Sequence, residues 1–169
     1  MKSRLIVPAT IVLLAVGASC ARLIGGAPIH DISTDTSDPP LFVDVLPLRA
    51  GARNSAEYGG SRVAELQLAA YPDIVPVDLA IAPGEVFTKA LAAAKAMGWA
   101  LVAADSATGR IEATATTRVF RFKDDVVIRI RPRNGGSRLD IRSVSRIGGS
   151  DLGKNASRIR EFITRLRQS

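Results

Sequence analysis

The chain has 169 residues, 47% of them hydrophobic and 23% charged, and a formal net charge of +7. That length holds one domain with a real core plus short extensions, and that composition excludes a wholly disordered chain. Its single cysteine, Cys20, and single histidine, His30, exclude an internal disulfide, a Cys/His zinc cluster and a Ser-His-Asp arrangement.

The first segment, "MKSRLIVPATIVLLAVGASCAR", sets Lys2 and Arg4 before an apolar stretch at 5–18 and small residues after it. This is the layout of a secretory signal or signal anchor spanning residues 1–24. The stretch is shorter than the ~20 residues of a comfortable span, although Ala21, Leu23 and Ile24 extend it if Arg22 snorkels. Cys20, preceded by Gly17, Ala18 and Ser19, is the candidate lipid-attachment residue, with Gly17 standing where a lipoprotein box usually has Leu or Val. Three fates stay open: a retained anchor, lipidation at Cys20, and free secretion. The expectation is a bacterial envelope protein, membrane-anchored, with its domain on the periplasmic or extracytoplasmic side. A nucleic-acid partner is not expected.

Residues 25–60 include "GGAPIHDISTDTSDPPLF", rich in Pro, Asp, Ser and Thr and without helical or strand period, which predicts an extended tether carrying a solvent-exposed His30 and Asp31. Residues 61–169 are expected to form a single α+β domain. Its short leading helix has Val63, Leu66 and Ala70 on one face, Ser61 as a cap and Pro72 as a stop. Residues 75–81 alternate as a strand. The next helix starts at Pro83, repeats Val86, Ala90, Ala93 and Met97, and stops at Gly98. Two strands joined by a turn ending in Gly109 follow.

The segment "VVIRIRPRNGGSRLDIRSVS" is the strongest hairpin signal. An Asn134-Gly135 turn pairs Ile130 with Leu139 and Ile128 with Ile141 on the core face, and sets Arg129 against Asp140 on the other. A Gly135-Gly136 turn preserves the same facing pattern. Arg129, Asp140 and Arg142 are expected to face outward. The last helix carries Ile159, Phe162, Ile163 and Leu166 as an apolar stripe. The predicted fold is a curved antiparallel sheet of four to five strands with two main helices packed on one face, preceded by the N-terminal apolar segment.

Charge is unevenly spread: residues 110–169 hold 15 basic and 6 acidic residues (net +9), and residues 28–109 hold 5 and 10 (net −5). Solvated Arg-rich faces are the simpler account. A basic face meeting an envelope protein or an anionic lipid surface is the sharper one.

"PIHDISTDTSDPP", "YPDI", "TTRVFRFKDDVVIRIRP" and "SVSRIGGSDLGKNASRIREF" together resemble the bacterial and plastid family known as domain of unknown function 1499, over roughly residues 28–167. The resemblance implies an envelope-facing, often membrane-associated domain and no established activity. By fold-level analogy the element order is also similar to helix-grip modules of envelope lipoproteins that assist assembly of other proteins.

Two of these motifs supply the candidate binding residues. Arg118, Phe122, Lys123, Asp124 and Asp125 place adjacent carboxylates that could act as acid and base or hold a hard cation. Successive side chains on extended backbone point oppositely, however, so a turn with an Asp–Arg pair is the simpler reading. In the second motif Arg146, Ser150, Asp151, Asn155 and Arg158 surround Gly148, Gly149 and a helix start, where a phosphate or carboxylate could dock. Ser150 or Asp151 can cap that helix, and Asp151 opposes the docking, because a carboxylate in the first turn already satisfies those donors, with Arg146 or Arg158 as its partner. Asn155 and Arg158 share a helical face able to meet Arg118, Asp124 or Asp125 as one polar cluster. No catalytic set, metal site or cofactor is expected. The leading expectation is a membrane-tethered, non-catalytic binding domain, and the alternative is a small-molecule binder or enzyme using Asp124, Asp125 and Asp151.

Overall fold

The computed structural model describes residues 27–168. The apolar leader and Cys20 lie outside the described residues. Six strands, β1 (Asp31–Ser33), β2 (Val77–Leu79), β3 (Ala100–Asp105), β4 (Arg110–Thr116), β5 (Lys123–Arg133) and β6 (Gly136–Ser145), form one antiparallel sheet. Three helices accompany it: α1 (Gly60–Ala70), α2 (Pro83–Ala96) and α3 (Lys154–Gln168). The strands run β1-β6-β5-β4-β3, and β2 shares with β1 the outer edge of β6. The architecture is α+β, as composition and pattern predict.

The central hairpin has the predicted register. Ile130 faces Leu139, Ile128 faces Ile141 and Arg129 faces Asp140. Its turn takes Asn134 and Gly135 through positive φ, which an Asn-Gly pair adopts at low cost. At the β3–β4 turn, Gly109 has φ +66°, and a Cβ there would stand 2.3 Å from the Ile130 carbonyl oxygen. Only glycine fits so close a backbone approach.

Pleating divides the strands between two faces. One face carries Ile111, Ala113, Val126, Ile128, Ile130, Leu139 and Ile141, packed against Val86, Phe87, Ala90 and Ala93 of α2 and Ile159, Phe162 and Leu166 of α3. Phe162 also stacks on Trp99, with ring centroids 5.5 Å apart. Ile128, Ile130, Leu139 and Ile141 are therefore core residues, as their alternation requires.

The opposite face departs from expectation. Residues 34–58, read as part of a free tether, lie across the sheet as a strap. Phe42 and Val45 reach a small second core with Val127 and Val144, and a 3-10 turn at Leu46–Arg49 delivers a buried Arg49. Asp31 is a buried β1 residue rather than a solvated one. Asp140 and Arg142 do point away from the helices, yet both are fully buried, because the strap covers the face that alternation alone assigns to solvent. The leading helix also differs: Gly59 is its N-cap residue, Ser61 does not cap, Ala70 is exposed and Gln67 is buried. The Gln67 amide donates to Ser33 O at 2.6 Å and accepts from Ser33 N at 2.9 Å, closing the free edge of β1 as a strand would.

Candidate functional site

The sheet's polar residues form two networks, one on each face. Under the strap, Arg142 is held bidentately by Asp31 at 2.9 and 2.7 Å, donates to the carbonyls of Pro40 and Ala56, and lies over the rings of Phe42 and Tyr58. The planar guanidinium has five donors, and this pocket matches four of its contacts to oxygens fixed by backbone or ion pair. Half-buried Tyr58, whose hydroxyl is enclosed near the Asp31 carboxylate, has that hydroxyl pKa pushed up to about 12 by desolvation and by the neighbouring charge. Glu112 accepts from the backbone N–H groups of Val43 and Val45, both at 2.8 Å, so its carboxylate pins the strap to β4. Asp125 receives Arg49 from the strap, Arg146 from the loop after β6 and Thr114 from β4. Arg129, Arg131 and Arg138 converge on Asp140, and Arg138 also reaches Asp35 at 2.8 Å.

The charge asymmetry of the chain thereby acquires an internal meaning. Asp31, Asp35, Asp38 and Asp44 from the acidic half pair with Arg142, Arg138, Arg129, Arg131 and Arg110 from the basic half. Much of the basic strand surface is thus matched by the chain's own strap.

On the helical face the two sequence motifs do meet. Asp124 pairs with Arg158 at 2.5 Å. Arg158 also donates to Ser143 Oγ and Asn155 Oδ1, and buried Asn155 donates to the His30 carbonyl and Ser145 Oγ. Asp151 accepts from Gly153 N at 2.9 Å and Asn155 N at 2.6 Å, which makes it the cap of α3. The expected ion pairs to Asp151 do not form: Arg146 is taken by Asp125 and Arg158 by Asp124. Burial raises the Asp151 pKa above the usual carboxylate value, outweighing its two backbone hydrogen bonds, which act to lower it.

The candidate residues therefore fall into three places. Asp125 and Arg146 lie under the strap. Asp124, Asp151, Asn155 and Arg158 fix the start of α3, where Ser150 adds a hydrogen bond to Ala27 O. Arg118 stands apart, exposed at the β4–β5 connection, whereas exposed Lys123 lines an open depression together with Arg146, whose backbone N–H donates to the Lys123 carbonyl. Adjacent Asp124 and Asp125 point to opposite faces, as extended backbone demands, and do not converge. A shared concave site needs them together. Two open depressions, of 330 and 240 Å³, are lined by neither Asp124, Asp125 nor Asp151. Chemically, these carboxylates accept from internal donors and position chain segments.

Arg49, Gln67, Glu112, Asp140 and Arg142 escaped the sequence reading as functional or structural centres. The signal that could have found them is the −5 against +9 asymmetry combined with the charges Glu112, Asp125, Arg129, Asp140 and Arg142 recurring on the strand face opposite the helices. The sequence model of the family described as Protein of unknown function (DUF1499) matches residues 31–166. No curated protein matches the chain.

Proposed function

This chain belongs to the DUF1499 family, and from that premise we propose that it is a membrane-tethered, envelope-facing domain that binds a partner without turnover. The observation that carries the non-catalytic reading is the inward pairing of Asp124, Asp125 and Asp151, the residues a catalytic or small-molecule reading would need free. The tethered, extracytoplasmic address is supported by Lys2 and Arg4 before the apolar stretch at 5–18 and the small residues after it. None of the described helices is long and apolar enough to cross a membrane, so attachment rests on that leader or on a lipid at Cys20.

Cells producing the full chain provide the test. The chain is expected in the membrane fraction, its domain digested by protease admitted to the extracytoplasmic side, with the same crosslinked partner recovered in repeat experiments. Recovery in the cytosol would overturn the address. Turnover of a metabolite, lost in Asp124→Asn with the melting temperature unchanged, would overturn the non-catalytic reading.

A further inference from the structure

One surface is left over by the internal charge matching. The connection between β4 and β5 exposes Val119 at 80%, Phe120 at 73% and Phe122 at 46%, with the two phenylalanine rings stacked on each other at 5.5 Å. Arg118, Arg121 and Lys123 interleave with them, and no ion pair among the described residues engages these three. The neighbouring carboxylates, Asp124, Asp125 and Asp151, are all turned inward. Apolar side chains between uncompensated cations suit an anionic lipid interface, where rings enter the headgroup boundary and cations meet phosphates.

Topology gives the second argument. Lys123 faces Thr116, Asp124 faces Ser145 and Asp31 faces Val144, so the β4–β5 connection, the end of β6 and the entry to β1 share one end of the sheet. Ala27 is held at that end by Ser150. From Ala18, the end of the apolar stretch, to Ala27 the chain can reach no further than roughly 30 Å, at about 3.5 Å per residue. A membrane held by residues 5–18 therefore lies close to this end. The opposite end, with the β3–β4 and β5–β6 turns, is a sheet length away.

We propose that the β4–β5 connection, through Val119, Phe120 and Phe122 flanked by Arg118, Arg121 and Lys123, docks into the anionic leaflet to which the chain is tethered. This rests on the tethered reading above and adds the orientation of the domain and the lipid chemistry that it meets.

The full chain reconstituted with vesicles of phosphatidylcholine and phosphatidylglycerol with brominated acyl chains tests both. Native Trp99, the sole tryptophan, is 8% exposed and supplies the baseline. In Phe120→Trp the added emission should be quenched and blue-shifted, whereas in Ala107→Trp, at the opposite end, it should not. Quenching should fall in Arg118→Gln/Lys123→Gln and at about 1 M salt, where screening shortens to about 3 Å. Flotation of both chains with equal or no quenching would overturn the docking and leave the tether standing, freeing the surface for a protein partner. Equal quenching in purely zwitterionic vesicles would overturn the role of anionic lipid. Failure of the chain to float with any vesicle would overturn tether and docking together.

Discussion

The two faces of the sheet come from the same strands, yet they are held by different physics. The helical face is a packed apolar layer in which Ile128, Ile130, Leu139 and Ile141 meet α2 and α3. The strap face buries Asp31, Glu112, Asp125, Asp140 and Arg142 with only a small apolar patch. Apolar burial is tolerant of detail, since any hydrophobe of about the right volume gains from leaving water. A buried charge pair is unforgiving, because loss of either partner leaves the other without its solvation. The helical face thus supplies stability, and the strap face fixes where one stretch of chain must lie.

Breaking one partner under the strap should give the largest effect. Arg142→Met leaves Asp31 buried without its cation and is expected to cost about 3 to 5 kcal/mol in denaturant unfolding. Adding Asp31→Leu should restore part of that loss, incompletely because the Pro40 and Ala56 carbonyls also lose a donor. A double variant as unstable as the sum of the singles would mean that the pair is not a coupled unit. On the helical face, Ile141→Ala should cost about 2 to 5 kcal/mol through a cavity, with no second-site charge change able to recover it. Equal sensitivity of Ile141→Ala to the Asp31→Leu change would erase the distinction between the faces.

Smaller effects sharpen the comparison at its borders. Gln67→Ala removes two hydrogen bonds from β1 and should cost about 1 to 3 kcal/mol, with faster amide exchange at Ser33. Asp151→Ala should cost about 0.5 to 2 kcal/mol by loss of the α3 cap. Asp151→Ser should regain most of this, since a hydroxyl can accept the same backbone bond. Ser equal to Ala in thermal melts would show that charge matters there, not capping. Burial raises the Asp151 pKa, so the folded protein holds that proton more tightly than the unfolded chain. Relative to Asp151→Asn, wild-type stability should therefore increase as pH falls from neutral through the raised value, and decline as pH rises through it.

The helical face was legible because its signal is local. Ile-x-Ile alternation, the Asn-Gly turn and the Val86, Ala90, Ala93 repeat each fix burial within a few residues, and the hairpin register follows without knowledge of the remaining chain. The strap was not legible for a matching reason. Residues 34–58 lack any period, and the charges that they cover sit where alternation places solvent-facing groups. Arg142 and Asp31 lie 111 positions apart in the sequence, and no local pattern joins them. The candidate site divided along the same line. Capping by Asp151 follows from its own helix start, whereas the partners of Arg146 and Arg158 depend on which strand faces each lies beside.

The central claim is that residues 34–58 form an integral layer of the domain, held by buried charges, and not a tether. Amide hydrogen exchange resolved by residue tests it most directly. Val43 and Val45, whose N–H groups donate to Glu112, and Asn54, whose N–H donates to Arg146 O, should be protected, and the Val43 and Val45 protection should collapse in Glu112→Ala, which removes both acceptor oxygens. Free exchange at these three amides, while β5 and β6 stay protected, would contradict the account.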